Sequence, residues 1–170
     1  MDKKQQLPHN YACIQTSKKE IYIIGGGDYS DTAVPKESRL CSLLFLNQKE
    51  DFFFRKKRAK LSYPRHGHAI CQLSKKFLLV TGSRWLTFND SDCELFDMQR
   101  NKWSKVAKLN EPRFYHSTCS IRNEPTAYVF CGSNKTYLRS IERFNQAANT
   151  WTLIDLYAGE LEKRQGCGSV

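Results

Sequence analysis

The chain has 170 residues, with 27 Lys and Arg against 17 Asp and Glu, which gives a formal net charge of +10. Hydrophobic residues make up 40% and aromatic residues 12%, enough for the core of one ordinary domain. No apolar run reaches the roughly 18 residues that a membrane helix needs, and the polar start Met1–Gln6 does not resemble a secretory signal. This composition excludes a membrane-spanning protein and disfavours a secreted one.

The first predicted elements are four short strands between about residues 8 and 60. The second of them is a continuous apolar run that ends in glycines, as expected for a strand buried on both faces. Leu46 stands seven residues before Phe53, as Phe96 stands before Trp103 and Phe144 before Trp151, so we expect Leu46 and Phe53 to be their counterparts in the first set. The predicted strands are Ala12–Gln15, Ile21–Ile24, Leu43–Leu46 and a strand that starts at Phe53.

Two further sets of four strands follow, over about residues 63–110 and 111–155, and residues 156–170 form a tail with weak helical periodicity at 157–165. Turn-forming residues separate the strands, and Asn101 and Asn149 predict tight turns before Trp103 and Trp151. The predicted strands are His68–Leu73, Phe77–Val80, Cys93–Asp97 and one from Trp103, then His116–Ile121, Ala127–Phe130, Ser140–Asn145 and one from Trp151.

These sets repeat one pattern. Several landmarks recur at an offset of 48 residues: Pro64-Arg65 with Pro112-Arg113, His68 with His116, Glu94 with Glu142, and Trp103 with Trp151. A period near 50 residues indicates an array of similar supersecondary units and favours propeller blades over helical repeats.

The unit of an apolar run, glycine, Glu-x-Phe, tryptophan and Pro-Arg resembles the kelch repeat, over about residues 8–155. The first repeat departs from it, with Phe53 in place of tryptophan and Pro8-His9 in place of Pro-Arg. The resemblance implies an all-β fold: a partial kelch-type β-propeller of three four-stranded antiparallel blades, as an open arc or half of a closed ring.

Three blades leave the outer faces of the first and last blades uncovered, because closed propellers usually have four to eight. Two chains could close a ring of six blades. The chain could instead be a fragment of a longer propeller protein, or complete a ring or larger assembly with another polypeptide. The sequence leaves these alternatives open.

The loops after the second strands are the best candidate contact surface, because rigid scaffolds usually present recognition residues on loops. Arginine and aromatic residues dominate interface hot spots. In kelch propellers these loops and the Pro-Arg crossovers commonly form the partner-binding rim. We therefore include Arg65 and Arg113 among the predicted contact residues, although both could instead fix the loops by hydrogen bonds. The predicted contact residues are Tyr29, Arg65, Arg84, Trp85, Arg113, Lys135 and Tyr137.

A basic run lies at the end of the fourth strand of the first repeat, in a crossover that we expect to be two residues longer than the others. It comprises Arg55, Lys56, Lys57, Arg58 and Lys60. It could be a solvated loop, a docking patch for an acidic surface, or a nuclear-import signal. Nucleic-acid binding is disfavoured, because no recognised nucleic-acid-binding motif accompanies the charge.

Nothing in the sequence predicts catalysis, a cofactor or a metal. His66, His68 and Cys71 lack a second ligand group at zinc-like spacing, and Ser117 beside His116 has no acidic partner. Several cysteines fall inside predicted strands, which predicts buried thiols in the cytoplasm, with a nuclear location open through the basic run.

We therefore expect a non-catalytic module that binds a protein partner through its rim loops. The alternatives are a structural subunit of a cytoskeletal or ciliary assembly, a substrate-receptor fragment of a cullin-type ubiquitin ligase and, least favoured, a small-molecule enzyme.

Overall fold

The computed structural model describes residues 9–28, 36–37, 39–47, 52–84, 91–121 and 124–154. Within these ranges no helix is long and apolar enough to cross a membrane. The described chain consists of short strands: β1 Ala12–Ser17, β2 Glu20–Ile24, β3 Gly27–Asp28, β4 Lys36–Glu37, β5 Cys41–Asn47, β6 Phe52–Lys57, β7 Ala69–Gln72, β8 Phe77–Thr81, β9 Cys93–Asp97, β10 Lys102–Val106, β11 Ser117–Ser120, β12 Thr126–Phe130, β13 Ile141–Asn145 and β14 Thr150–Ile154.

Three four-stranded antiparallel sheets account for all but two of these strands. Blade 1 has the order β1-β2-β5-β6, blade 2 the order β7-β8-β9-β10, and blade 3 the order β11-β12-β13-β14. The small strands β3 and β4 pair with each other in the connection between β2 and β5. Sequence neighbours pair within each blade, so every blade is a simple antiparallel meander.

The blades are arranged radially, with their first strands meeting at the centre. Strand β7 contacts β1 on one side and β11 on the other. Ser120 Oγ of β11 donates a hydrogen bond to the Gln72 carbonyl of β7, over 2.7 Å. This arrangement confirms the predicted all-β partial propeller of three four-stranded blades.

The core lies between the blades. We call the side of a blade that faces the next blade in the chain its leading face, and the opposite side its trailing face. Successive residues of a strand point to opposite faces. Leu78 and Val80 of β8 therefore join blade 1 in one cluster, while Leu79 joins blade 3 in the other. All three are fully buried, which explains the continuous apolar run in the sequence.

Each crossover between blades is held by the hairpin of the following blade. The indole of Trp103 donates to the Ala59 carbonyl over 2.8 Å, and Asn101 Oδ1 accepts from the Ala59 amide over 2.9 Å. Trp151 and Asn149 bind Ala107 in the same way, over 3.0 and 2.9 Å. Both asparagines have a positive φ, 54° and 52°, as the predicted tight turns require.

Blade 1 corrects one prediction. Leu46 does pair with Phe53, but these residues are not the counterparts of Phe96 and Trp103. Leu44 pairs with Ile21 as Phe96 pairs with Leu78, and the residue opposite Leu44 on β6 is Arg55. An arginine therefore stands at the tryptophan position of blade 1.

The hairpin between β5 and β6 is four residues longer than its counterpart in blade 2, because the paired residues Leu44 and Arg55 are 11 positions apart whereas Phe96 and Trp103 are seven apart. The spacing from Lys57 to Pro64 equals the spacing from Lys105 to Pro112, so the prediction of a longer crossover was wrong. Other strand ends differ from the predicted ones by one or two residues. The predicted helical periodicity at 157–165 lies outside the described residues.

Candidate interaction surface

The loops after β2, β8 and β12 lie at one end of the blades, together with the residues that precede β7 and β11. We call this end the rim. Gly25 begins the first of these loops with φ at +66°. A Cβ on Gly25 would lie 2.4 Å from Cε1 of His68 and 2.7 Å from the Arg65 carbonyl oxygen. Glycine therefore lets the start of blade 2 approach the end of β2 closely.

Backbone hydrogen bonds join the crossovers into blades 2 and 3 to the preceding blade. The Gly26 amide donates to the Arg65 carbonyl and the Tyr115 amide donates to the Gly67 carbonyl, each over 2.7 Å. These hydrogen bonds link adjacent blades at the rim and fix the position of the loops relative to one another.

Two buried histidines reinforce these contacts between blades. His68 Nε2 lies 3.1 Å from the Ile24 carbonyl oxygen, and His116 Nε2 lies 2.8 Å from Thr81 Oγ1. Burial lowers the pKa of each imidazole to about 3, helped by the nearby arginines at 65 and 113. Both rings are therefore neutral at physiological pH and act as structural hydrogen-bonding groups.

Arg65 lies beneath the rim with only 1% of its surface exposed. Its guanidinium donates to the Glu94 carboxylate over 3.0 Å and to the carbonyls of Gly82 and Asp92 over 2.9 and 2.6 Å. The other oxygen of Glu94 accepts the Ser62 amide over 2.9 Å. One buried ion pair therefore fixes both ends of the loop after β8.

Arg113 repeats this arrangement in blade 3 and is completely buried. It donates to Glu142 over 2.9 Å and to the carbonyls of Cys131 and Ser140 over 2.7 and 3.2 Å. Both arginines were predicted contact residues with a conformational role as the alternative. Their burial matches the conformational role, so neither is counted among the surface residues of the rim.

Arg84 occupies the rim surface between blades 2 and 3. Its amide donates to the His66 carbonyl over 2.8 Å, which anchors the backbone. Its guanidinium carbon lies 5.4 Å from the ring centre of Phe114 and 5.8 Å from that of Tyr115, and Nη1 lies 3.4 Å from Tyr115 Oη. The exposed cation is thus held over two aromatic rings that pack edge to face.

The loop after β12 presents Lys135 and Tyr137 beside this group. Ser133 pairs with both Phe114 and Tyr137 through isolated bridges, and the Leu138 amide donates to the Gly132 carbonyl over 2.8 Å. The side chain of Tyr137 is 51% exposed, and Lys135 is exposed as well. The structure therefore brings three of the predicted contact residues together, while Tyr29 and Trp85 lie outside the described residues.

The predicted basic run is divided rather than continuous. Arg55 and Arg58 are partly buried, and Arg58 lies 5.7 Å from the ring centre of Phe96. Strand alternation turns Lys56 to the opposite face from Arg55 and Lys57. Lys56, Lys57 and Lys60 are exposed, so the cationic surface consists of these three lysines on different sides of the outermost strand and crossover.

A cleft of about 210 Å³ beside blade 2 was not predicted. Lys105 Nζ lies 2.7 Å from Tyr63 Oη, and this hydrogen bond raises the pKa of Lys105. Lys108 pairs with Asp92 over 2.9 Å. The partners are separated by more than fifteen positions in sequence, so no local pattern could have identified them. Three cations and two carboxylates line the cleft, so its formal net charge is only +1.

The described side chains provide little for catalysis. No group of three or more His, Cys, Asp and Glu residues among them is placed to hold a metal ion. His116 beside Ser117 is a very weak base at neutral pH, because its pKa is about 3. Burial raises the pKa of the thiols of Cys41, Cys71 and Cys93 to about 12, so these cysteines are not nucleophilic.

Comparison with known proteins supports the resemblance found in the sequence. The chain is 31% identical to kelch-like protein 35 of Mus musculus over 93 residues, which cover 54% of this chain and 15% of that protein. It is 28% identical to kelch-like protein 25 of Xenopus tropicalis over 106 residues, covering 57% and 18% of the two chains, and 28% identical to kelch-like protein 23 of Pongo abelii over 95 residues, covering 54% and 16%.

The matched part of the chain thus spans less than a fifth of the length of each of these relatives. No protein-family model matches the chain. Weak homology to kelch-like proteins and the three-bladed fold together confirm the predicted kelch-repeat character of this sequence.

Proposed function

We propose that the chain is a non-catalytic protein-interaction module of kelch type, which binds a partner through its rim. The single observation that carries this proposal is the exposed group formed by Arg84, Lys135 and Tyr137 on a buried framework. Arginine and tyrosine are the residue types that most often supply binding energy at protein interfaces.

The framework beneath the group favours binding. Arg65 and Arg113 hold both ends of the loops after β8 and β12 through buried hydrogen bonds. Arg84 is already held over two rings before any partner arrives. Residues that are ordered in advance lose less conformational entropy on binding, so a modest contact area can give useful affinity.

Affinity capture with matched variants tests the proposal. The tagged chain and its Arg84→Ala/Tyr137→Ala variant would be used to capture proteins from cells, followed by quantitative mass spectrometry. We expect a defined partner of the original chain to be depleted at least tenfold in the variant, since each hot-spot truncation costs about 1–3 kcal/mol of binding free energy.

Lys75→Ala is the matched control, because Lys75 is an exposed cation in the turn between β7 and β8, at the opposite end of blade 2 from Arg84. Equal capture by all three proteins would contradict a rim-binding function. Urea unfolding of each protein verifies that the rim substitutions leave the fold intact.

A structural role in a larger assembly is the second candidate. It is favoured by the position of blades 1 and 3, each of which packs one face against blade 2, because an assembly would provide a neighbour for the opposite face. In the capture experiment, many stoichiometric neighbours retained by the rim variant would favour this role over that of a receptor.

The chemistry of the cysteines favours a reducing compartment, and we propose a cytoplasmic location. The six cysteines in the described ranges are thiols, and four of them are buried. A buried thiol contributes to packing as a small apolar group, which suits a compartment where disulfides do not form.

A further inference from the structure

The cleft beside blade 2 lies between the crossover from blade 1 and the adjoining ends of β9 and β10. Tyr63 and Arg65 line it from the crossover. Glu94 and Lys105 line it from the strands, where they pair with each other and point to the trailing face of blade 2. The exposed rim group contributes none of its residues to this cleft, which is therefore a separate candidate site.

Blade 3 has a glutamate at the corresponding place. Glu111 precedes the Pro-Arg pair of blade 3 as Tyr63 precedes that of blade 2. Nη2 of Arg113 donates to Glu142 over 2.9 Å and to Glu111 over 3.2 Å. The Ser140 hydroxyl donates to the same oxygen of Glu111. Two carboxylates therefore lie against the buried arginine of blade 3.

In blade 2 only one carboxylate binds the arginine. Among the described residues, Nη2 of Arg65 donates to Glu94 alone, over 3.0 Å, although this nitrogen carries two hydrogens. Asp92 accepts from Arg65 through its backbone carbonyl, while its carboxylate pairs with Lys108 over 2.9 Å. Arg65 is only 1% exposed, and a buried donor without a partner is unfavourable. The arginine that lines the cleft thus has a donor to offer a ligand.

Two lysines add positive charge to the cleft. Lys105 stands on β10 where blade 3 has Leu153 on β14. Its Nζ lies 2.7 Å from the Tyr63 hydroxyl, which is its only hydrogen-bond partner within the described ranges, so two of its three donors remain. The side chains of Lys108 and Asp92 are 54% and 25% exposed, and such exposed ion pairs contribute little to stability. Lys108 can therefore turn from Asp92 to a ligand.

We propose that this cleft binds one carboxylate of a partner polypeptide, in the place that the Glu111 carboxylate takes in blade 3. Arg65 and Lys105 donate to the ligand, and one carboxylate brings the formal charge of the cleft from +1 to zero. Charge-assisted hydrogen bonds of this kind are about twice as strong as neutral ones. The Arg65 guanidinium is already fixed by Glu94, so it loses little conformational entropy when the ligand arrives.

The size of the cleft suits a single acidic group. Its volume is about 210 Å³, below the roughly 300–1,000 Å³ of sites for drug-sized molecules. The carboxylate can belong to an Asp or Glu side chain or to the end of a chain, because both present the same two oxygens.

Three small compounds test the site by nuclear magnetic resonance of the whole chain. N-acetylglutamate N-methylamide carries only a side-chain carboxylate, N-acetylglycine only a terminal one, and N-acetylglutamine N-methylamide neither. We expect the guanidinium resonance of Arg65 to shift saturably with at least one acidic compound, which should bind about tenfold more tightly than the neutral one. The tighter acidic compound identifies the source of the carboxylate. The Arg113 resonance should not shift, because Glu111 already occupies the corresponding place.

Matched variants show whether the cleft is the site. Lys105→Gln should weaken binding of the acidic compound about fivefold, because it removes a charged donor. Lys102→Gln is the control, since Lys102 is an exposed lysine of the same strand that does not line the cleft. The Arg84→Ala/Tyr137→Ala variant should bind the compound unchanged, so this site and the rim can fail separately. Absence of saturable binding, equal binding of the neutral compound, or equal loss in both lysine variants would overturn the proposal.

A glutamate in place of Tyr63 provides a second test. In the Tyr63→Glu variant the carboxylate should occupy the cleft as that of Glu111 does in blade 3, so the affinity for the acidic compound should fall about tenfold. Tyr63→Gln has the same length without the charge and should retain binding. Tyr63→Glu should also unfold at a higher urea concentration than Tyr63→Gln. Undiminished binding by Tyr63→Glu, or a urea midpoint no higher than that of Tyr63→Gln, would contradict the proposal.

Discussion

Buried polar residues recur at matching positions in blades 2 and 3. Glu94 and Glu142 each pair with an arginine of the crossover and also accept backbone amides. Removing one member of a buried ion pair costs about 3–5 kcal/mol, because it leaves the other charge uncompensated. In blade 1 the glutamate position is Ser42, which binds Arg55 instead. The framework of the rim is therefore stronger around blades 2 and 3 than around blade 1.

The buried histidines predict a dependence of stability on pH. Their pKa is about 3 in the folded chain and about 6.5 when unfolded, so below pH 6.5 only the unfolded chain takes up these protons. The free energy of unfolding should fall by about 2 kcal/mol between pH 6.5 and 5.5 and be insensitive to these groups above pH 7. Urea unfolding at pH 7.5, 6.5 and 5.5 measures this loss.

His116→Gln is the control for that experiment, because glutamine can still bind Thr81 but does not titrate. It should reduce the loss between pH 6.5 and 5.5 by about half. An undiminished loss in this variant would show that His116 is not buried in its neutral form. His66, whose pKa is lowered by burial and by Arg84, contributes in the same direction.

The hairpin between the third and fourth strands is the element that connects successive blades. In blade 3, Asn149 adopts a positive φ and accepts the Ala107 amide from the crossover that enters the blade. Asparagine tolerates this conformation, and its side-chain oxygen reaches a backbone amide 42 positions away. The turn thus has both a local and a long-range role.

Two substitutions separate these roles. Asn149→Gly keeps the positive φ and loses the hydrogen bond to Ala107, so it should lower the free energy of unfolding by about 1–2 kcal/mol. Asn149→Ala also strains the backbone and should cost about 1 kcal/mol more. Equal stability of the two variants in urea unfolding would contradict a strained turn, and no loss in either would contradict the hydrogen bond.

The sequence predicts the blades well, because their strands and turns depend on residues that are close together in the sequence. The asparagine turns, the glycine at Gly25 and the apolar strand β8 could all be recognised from neighbouring residues. The pairing of Arg65 with Glu94 could not, because it joins residues 29 positions apart that become neighbours only in the folded chain.

Blade 1 shows where sequence spacing fails. Phe53 and Arg55 are two positions apart in the sequence, so an alternating pattern fits either one at the tryptophan position. Only the pairing of β5 with β2 and β6 identifies Arg55 as the residue at the tryptophan position. The same limitation concealed the arginine that stands at the tryptophan position of blade 1.

At the scale of the whole molecule, blade 2 is the blade that packs against both of the others. One of its faces packs against blade 1 and the other against blade 3, in two hydrophobic clusters.

Nuclear Overhauser effects between blades test the radial arrangement most directly. The structure predicts a strong effect between the His68 Hε1 proton and the Gly25 α-protons, across blades 1 and 2, and another between the Tyr115 ring and the Gly67 α-protons, across blades 2 and 3. Observation of both would establish the arc. Their absence, in a protein whose contacts within each sheet are intact, would contradict it.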